Sequence, residues 1–446
     1  MNPTLPLQEV PMPRFFLPLL LILLLPLTGI AGEPGPDLHL TLAQALQTAF
    51  ANNPSIKESE QTQKSAGADV RSKRADFFAK ASAHYSFGSL QDAPFQRILG
   101  NRMQVGDREV SHWDVTLTQP LFTGFAITSR YEMARTSERI KELEKERSAL
   151  DVSQAVKTAW FSSLLAAKAE QVATDTVTAL SAHAQDAEGF FRHGLIPQND
   201  LLKSRVALAN ALQEKERAQA NTQIAFFRLS TVIGIELEAG TRQEDTETIQ
   251  PRAFDLPALT AEAMQNRPVL ISYRLGLENF DQAITLARSA DYPEIALTGK
   301  YERNGNDLGA ETNNYSNEHN ASVMMTATWH FFEWGKTGAD IEKQKLAKRA
   351  LTEKIKGVED QIRLEIKSAY LDLQVAQKNI GTAREGLGQA RENSRITNLQ
   401  YKNQVTTSTE VLDSRTFLSQ AETNYYRALY GYMVALANLE RAVGRR

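Results

Sequence analysis

Two carboxylates, Glu410 and Asp413, lie three residues apart in the segment Thr409-Glu410-Val411-Leu412-Asp413, and their charge makes them the first candidates for a chemical role. On a helix, residues three apart share one face, so the pair concentrates negative charge that attracts cations. A solvated helix face is the simpler explanation for a lone acidic pair. The choice depends on the elements that carry these residues.

Patterns for enzymatic chemistry are nearly absent. The seven histidines are scattered, none is spaced as a metal pair with a carboxylate, and no nucleophile elbow occurs. Gly335-Lys336-Thr337 matches the end of a phosphate-binding loop, but His330 occupies a position that requires glycine. The absence of cysteine excludes disulfides, thiolate metal sites and a lipidated amino terminus. We therefore predict that the protein is not an enzyme and has no cofactor and no metal site.

The charged residues are balanced, with Lys+Arg 50 against Asp+Glu 53 and a net charge of -3. Because no basic block occurs, the composition argues against a nucleic-acid partner. A chain of 446 residues could form two or three ordinary domains, so the arrangement of its segments must decide the fold.

The amino-terminal region is typical of a secretory signal peptide. Arg14 precedes an apolar run over residues 15–27, and small residues follow up to Ala31. We assign residues 1–31 to this peptide, with cleavage after Ala31. A membrane anchor is the alternative, but the run is shorter than the ~20 residues that a span needs. Met12 is an alternative start to Met1, since it leaves a more ordinary basic leader.

The rest of the sequence is a duplication. Asn52-Asn53-Pro54 matches Asn266-Arg267-Pro268 at an offset of 214, and further along the offset becomes 210. We predict a first repeat over residues 38–238, a linker or equatorial segment over 239–255, and a second repeat over 256–446. The pairs at the offset of 210 include Phe122 with Phe332, Lys157 with Lys367, Trp160 with Tyr370, Arg205 with Arg415, and Gly234 with Gly444.

Each repeat begins with a helical stretch that breaks before its proline and ends in a helical hairpin. The long arm of each hairpin spans roughly 100 Å at 1.5 Å per residue. The returning arm is about half as long, so the leading helix must stack end to end with it to match the long arm. The predicted stretches are 41–78 and 256–292 for the leading helices, 125–192 and 334–402 for the long arms, and 199–232 and 409–443 for the returning arms.

Between the leading helix and the long arm of each repeat, two segments alternate apolar and polar residues over about ten positions, a length that crosses a bilayer when tilted. Four strands cannot close a barrel, and an open edge in lipid leaves backbone groups unpaired at several kcal/mol each. Several chains must therefore share one barrel. The predicted strands are 81–90, 113–122, 294–303 and 321–331, and the predicted loops are 89–112 and 304–320.

Aromatic residues gather where the strands meet the helices. They form either the girdle at the periplasmic membrane interface or the packing between barrel and helices. Gly124 and Gly335 follow the strands, where a tight turn into the long arm is required. The aromatic group comprises Phe77, Phe78, Phe122, Phe125, Tyr292, Phe331, Phe332 and Trp334.

Together, the leader, the repeated Asn-x-Pro and three turn segments resemble the TolC family of outer-membrane efflux channels over the whole mature chain. The resemblance implies a mixed α and transmembrane β fold. In it, a homotrimer shares a 12-stranded barrel with four strands per protomer, continued by a long periplasmic α-helical coiled-coil tunnel with an equatorial belt and an iris-like mouth. The turn segments are Gln119-Pro120-Leu121-Phe122-Thr123-Gly124, His330-Phe331-Phe332-Glu333-Trp334-Gly335, and Gly194-Leu195 before Asp200-Leu201-Leu202.

The function implied by the resemblance is a passive exit duct in a tripartite efflux or type I secretion system. Its partners would be a periplasmic adaptor (membrane fusion) protein, an inner-membrane pump of the RND, ABC or MFS type, and outer-membrane lipid. The implied location is the outer membrane of a Gram-negative bacterium, with a large periplasmic part and no lipid anchor. The alternative is a structural coiled coil or adhesin on a trimeric barrel, which predicts one helical copy and no acidic ring. The sequence does not identify the exported substrate.

The resemblance also implies roles at the tunnel mouth. Glu410 and Asp413 match family residues that face the lumen, where three chains would form two stacked carboxylate rings. Tyr401 matches a tyrosine that bonds an acidic residue of the neighbouring tip and holds the mouth closed, and Asp200 is the aligned candidate. The family supplies an arginine near the position of Thr406, so we expect this lock to be weaker here.

Two turns are expected to dock the adaptor. Gly194 and Leu195 resemble the tip sequence that adaptor hairpins grip, whereas Gln404 and Val405 lack the glycine. We expect the first tip to contribute more to docking.

Overall fold

The computed structural model describes residues 39–237, 241–245 and 253–446. The predicted signal peptide and much of the predicted linker lie outside these residues. The elements of the first half are β1 (His39–Leu40), α1 (Leu42–Asn52), α2 (Pro54–Ala75), β2 (Lys80–Ser89), β3 (Phe95–Ile98), β4 (Asn101–Gln104), β5 (Glu109–Thr123), α3 (Ala126–Arg192) and α4 (Gln198–Ile233).

The second half follows the same order at the two offsets found in the sequence. Helices α5 and α6 begin at the offset of 214 from α1 and α2. Helices α7 and α8 begin at the offset of 210 from α3 and α4 and equal them in length, at 67 and 36 residues. No helix in the described ranges is both long and apolar enough to cross a membrane. The elements are β6 (Arg242–Gln243), α5 (Leu256–Asn266), α6 (Pro268–Arg288), β7 (Glu294–Gly305), β8 (His319–Thr328), α7 (Lys336–Lys402) and α8 (Ser408–Val443).

The Asn-x-Pro motif builds the joint between leading and returning helices. Pro54 takes the first position of α2, where its missing N–H costs nothing, and the side-chain oxygen of Asn53 caps that helix. The Asn53 Nδ2 also donates to the Val232 carbonyl near the end of α4, at 2.8 Å. In the second copy, Arg267 Nη1 donates to the Ala442 carbonyl of α8 at 2.9 Å. Each motif therefore joins the start of one helix to the end of another.

The helices pack side by side in a layer. On the side of the joints that contains the hairpin turns, the order across the layer is α4, α3, α8 and α7. On the strand side of the joints the order is α2, α3, α6 and α7. One buried apolar cluster surrounds Trp160 and joins α1, α2, α3, α4 and α8. A second surrounds Ile366 and joins α5, α6, α7 and α8. The layer is therefore packed between its members and open at its two edge helices.

Ion pairs connect the two copies near the joints. Arg441 of α8 bonds Asp151 of α3 and Glu365 of α7, each at 2.7 Å. Glu365 also bonds Arg267 at 2.6 Å. These groups are partly buried and hydrogen-bonded, so they contribute more than exposed ion pairs do. Because Glu365 bridges both arginines, it ties the start of α6 to α7 and α8.

The four main strands form one antiparallel sheet in the order β2, β5, β7, β8. Its register places polar side chains on one face and apolar side chains on the other, since successive residues alternate. Strands β2 and β8 are the edges, and each pairs on one side only among the described residues. The polar face includes Ser82, His84, His112, Asp114, Thr116, Lys300, Glu302 and Ser322; the apolar face includes Val115, Leu117, Tyr301, Val323 and Met325.

The first predicted loop, residues 89–112, is more ordered than the sequence suggested. Strands β3 and β4 pair there as a short hairpin, and the Arg102 guanidinium lies 3.6 Å above the centre of the Phe95 ring. This cation–π contact lies between strands whose polar composition masked their pairing. Strand β5 also begins at Glu109, before the predicted start of the second strand, because its ladder with β2 continues to Ser89.

Aromatic rings occupy both ends of the sheet. At the helix end, Phe122, Phe125 and Tyr292 pack edge to face with centroids 5.7–6.2 Å apart. At the loop end, Trp113 and Tyr301 lie 5.6 Å apart, a second group that the sequence analysis did not identify. At the helix end, rings of both copies therefore pack together. Phe331 and Trp334, which follow β8, are 81% and 90% exposed.

Gly124 makes the turn from β5 into α3. Its φ is +59°, and a Cβ at this position would lie 2.5 Å from the Ser289 carbonyl oxygen. Both the left-handed backbone and the close approach require glycine.

Candidate functional site

The two hairpin turns have the same backbone hydrogen bonds. Gly194 and Leu195 N–H donate to the carbonyls of Phe191 and Phe190, each at 2.9 Å. In the second copy the N–H groups of Gln404 and Val405 donate to the carbonyls of Tyr401 and Gln400 at the same distance. Nested bonds of this kind end a helix with one left-handed residue. That residue is Gly194 in one turn, with φ +70°, and Gln404 in the other, with φ +62°.

The tips of the two turns differ in exposed apolar surface. Leu195 is 50% exposed, and Val405 is 74% exposed. Gly194 and Gln404 are exposed beside them. Lys203 of α4 donates to Thr409 Oγ1 of α8 at 3.3 Å, which places the two turns next to each other in one chain. The four predicted docking residues therefore lie together at one end of the helical layer.

Glu410 and Asp413 lie in the first turns of α8, and both are exposed. Thr407 caps this helix with its side chain, and negative charge is favoured at a helix start. Neither carboxylate forms an ion pair with a described residue. Asp200, the first-copy counterpart of Glu410, lies instead 3.8 Å from Lys203. The second tip thus carries two uncompensated negative charges where the first carries a paired one.

Tyr401 is buried, with 3% of its surface exposed, and its ring lies 4.7 Å from His183 and 5.5 Å from Phe190. Its hydroxyl has no hydrogen-bond partner among the described residues. Within one chain, Tyr401 therefore does not bond Asp200, and the bond between neighbouring tips stays a prediction. Burial raises the pKa of the Tyr401 phenol, and the negative charge of Asp200 raises it further. The nearby Ser408 hydroxyl opposes part of this shift, although it is not placed to form a hydrogen bond with the phenol.

A buried polar cluster beside Tyr401 was missed by the sequence analysis. His183 Nε2 of α3 lies 2.8 Å from Ser408 Oγ of α8, which lies 3.0 Å from Ser204 Oγ of α4. Burial lowers the pKa of His183, and Asp186 opposes this shift. A single histidine in a long helix gives no sequence signal of burial, because the residues around it, Ser408, Ser204 and Tyr401, come from three other helices. The cluster links the two copies beside the hairpin turns.

The sheet brings together histidines that look scattered in the sequence. His84, His112 and Asp114 offer ligand atoms that all lie within 4.8 Å of one another. The expectation that no histidine pair accompanies a carboxylate is wrong for these residues, because strand pairing joins positions that are far apart in the sequence. The signal available in the sequence was the alternation His112-x-Asp114 within a strand.

The chain matches the model of the outer membrane efflux protein family over residues 45–235 and 259–445. Its fold is similar to that of the CmeC outer membrane channel of Campylobacter jejuni, with a TM-score of 0.76 at 16% identity, covering 90% of this chain and 85% of that one. The fold is also similar to that of the outer membrane protein VceC of Vibrio cholerae, with a TM-score of 0.75 at 14% identity, covering 91% of this chain and 96% of that one. For the open state of the MtrE outer membrane channel of Neisseria gonorrhoeae, the TM-score is 0.72 at 18% identity, covering 91% of this chain and 89% of that one. No curated protein matches the chain by sequence.

Proposed function

Because the chain belongs to the outer membrane efflux protein family and has the TolC-like fold, we propose that it is the passive exit duct of a tripartite efflux or type I secretion system. The duct would span the outer membrane through a barrel shared by three chains. A periplasmic adaptor would connect it to an inner-membrane pump that supplies the energy. Residues 1–31 would direct export as a signal peptide, without a lipid anchor.

One observation carries this proposal: the sheet and the helical layer are both open at two edges, and apolar side chains are exposed on β8, α4 and α7 at these edges. In the sheet, Val323 of the edge strand β8 is 77% exposed. In the helical layer, the exposed side chains include Val206 and Phe227 of α4 and Leu371 and Val375 of α7. Exposed apolar surface and unpaired strand edges both favour assembly with further copies. A cyclic arrangement satisfies both edges at once.

Three copies would close both layers. Four strands from each chain give twelve, which is within the known range of closed outer-membrane barrels. Strand β8 of one copy would pair with β2 of the next, and α7 would pack against α4 of the next. Along β5, the stretch from Trp113 to Phe122 rises about 30 Å, or about 23 Å along the normal of a tilted barrel. The two aromatic groups would then lie at the two membrane interfaces.

The mouth would lie at the hairpin turns. There Glu410 and Asp413 of three chains would form two rings of carboxylates facing the lumen, and the exposed turns at Gly194, Leu195, Gln404 and Val405 would meet the adaptor. Rings of this charge favour cations and bind polyvalent cations when close together.

The test is a pair of adjacent substitutions on β8. Val323→Lys places a charge on the face that would contact lipid, at a cost of about 2–4 kcal/mol near the bilayer centre. Met324→Lys places the same charge one residue away on the polar face. We expect the wild type and Met324→Lys to purify as trimers that conduct in planar bilayers. Val323→Lys should give little assembled protein.

Light scattering in detergent measures the assembly, and single-channel recording measures conduction. Equal tolerance of both substitutions would contradict the assignment of faces. A wild-type chain that is monomeric and does not conduct would overturn the proposed duct.

A further inference from the structure

The polar face of the sheet contains a group of potential metal ligands. His84 of β2 lies directly opposite Asp114 of β5, and His112 precedes Asp114 by two residues. The pleat turns all three side chains to the same face. Within residues 39–237, 241–245 and 253–446, this is the one group of three or more such ligands.

The spacing of the ligand atoms fits a single ion. His112 Nε2 lies 3.2 Å from Asp114 Oδ2, and His84 Nδ1 lies 3.7 Å from the same oxygen. Two ligand atoms that bind a tetrahedral ion at about 2.0–2.1 Å lie about 3.3 Å apart. The three ligand atoms lie within 4.8 Å of one another, so the His84 side chain, which is 65% exposed, must rotate to bring its nitrogen into range of the ion.

Two of the three ligands also have the outer hydrogen bonds that metal ligands have. The His112 Nδ1 lies 2.7 Å from Asn304 Oδ1, and Thr116 Oγ1 donates to Asp114 Oδ1 at 2.7 Å. When Nδ1–H donates to Asn304, the His112 Nε2 directs a lone pair at the Asp114 carboxylate. Two acceptors at 3.2 Å repel each other unless a cation or a proton lies between them.

The surrounding charge does not oppose a cation. Lys300 lies on the neighbouring strand, but its Nζ is 2.6 Å from Glu302 Oε2, so its charge is already paired. The Asp114 carboxylate lies beside both histidines, and its side chain is only 13% exposed.

We propose that His84, His112 and Asp114 form a binding site for a first-row divalent cation such as Zn²⁺. Imidazole nitrogens suit Zn²⁺, Cu²⁺ and Ni²⁺, and one carboxylate with two imidazoles leaves a fourth position for water. The site itself rests on the geometry of one chain. Its position in the lumen rests on the proposed duct, in which three such sites would form a ring below the exterior loops.

The test is Zn²⁺ titration of the detergent-solubilised full chain by calorimetry. The expected result is one Zn²⁺ per chain, with affinity reduced at least tenfold in His84→Gln and in His112→Gln. Asn304→Ala, which removes an outer hydrogen bond, should reduce affinity about 10–100-fold. His319→Gln is the matched control, since His319 lies on the other face of the sheet beside Tyr301 and should not change affinity.

Electron paramagnetic resonance of the Cu²⁺-loaded protein identifies the ligands directly. We expect hyperfine coupling to two imidazole nitrogens in the wild type and to one in His84→Gln. The absence of stoichiometric Zn²⁺ binding, or binding unaffected by both histidine substitutions, would overturn the site. Binding does not require a conducting channel, so the metal site and the proposed duct can fail separately.

Discussion

The two hairpin turns share the same backbone hydrogen bonds but differ in their side chains and charges. Each ends a helix of 67 residues with the same hydrogen bonds and starts a helix of 36 residues. The first turn has Gly194 at the left-handed position and pairs Asp200 with Lys203. The second has Gln404 at that position and leaves Glu410 and Asp413 unpaired among the described residues.

This difference separates the part of the duplication that folding requires from the part that is free to specialise. The helix lengths and turn hydrogen bonds are the same in both copies because they set where the layer ends. The charges on the returning helices do not determine the fold, since exposed ion pairs contribute about 0–1 kcal/mol. A duplicated chain can therefore concentrate negative charge on α8 without loss of structure.

The largest expected effect comes from removing that charge. Glu410→Ala with Asp413→Ala should reduce block of the bilayer conductance by a polyvalent cation such as hexamminecobalt at least tenfold, because three chains would lose six carboxylates from the mouth. Asp200→Ala with Lys203→Ala alters the corresponding positions of the first copy without changing net charge. This control should leave the block within about twofold of the wild type. Equal effects of the two double substitutions would show that the copies do not differ in this role.

The next effect concerns the left-handed positions. Gly194→Ala should lower the free energy of local opening at the first turn by about 1–2 kcal/mol, the cost of a side chain at positive φ. No atom lies near the added Cβ, so strain in the backbone is the whole effect. Gln404→Gly should raise the corresponding value at the second turn by about 1 kcal/mol. Hydrogen exchange of the turn amides measures both free energies. Changes of the same sign would show that backbone strain at positive φ does not determine the stability of the turns.

The buried His183 predicts a pH effect at the hairpin turns. Burial keeps the pKa of His183 in the closed state below its usual 6.5, so an opened state binds more protons. The free energy of local opening is therefore at its full value above pH 6.5 and falls as the pH drops below 6.5. The groups around it are Ser408, Ser204, the Tyr401 phenol and Asp186, whose charge partly opposes the shift. Hydrogen exchange around the turns should accelerate up to about tenfold per pH unit beyond the intrinsic rate change.

His183→Asn is the matched variant, since the second copy has Asn393 at the corresponding position. This variant should lose the added acceleration below pH 6.5. An unchanged pH profile would show that His183 does not couple proton binding to local opening at the turns.

Much of this fold could be predicted from the sequence because its signals are periodic and repeated. The offset of 214 relates the helices that flank Pro54 and Pro268, the offset of 210 relates the arms of the two hairpins, and the long arms contain no proline. Contacts between distant segments carried no such signal. The Asn53 bond to the end of α4, the His183 cluster and the approach of His84 to Asp114 each depend on which elements become neighbours.

The smallest expected effect tests the lock at the mouth. Tyr401 has Phe191 as its first-copy counterpart, and its buried hydroxyl has no partner in the described part of the chain. An unsatisfied buried hydroxyl costs free energy, so Tyr401→Phe should leave the stability of the second turn unchanged or raise it by up to about 1 kcal/mol. The resting conductance should stay the same, because no bond to Asp200 is lost. Asp200→Asn, which keeps the shape of that side chain, should also leave the resting conductance unchanged.

The opposite outcome would support the lock. If both variants raise the resting conductance to the same degree, and the double variant raises it no further, Tyr401 and Asp200 form the lock in the assembled mouth.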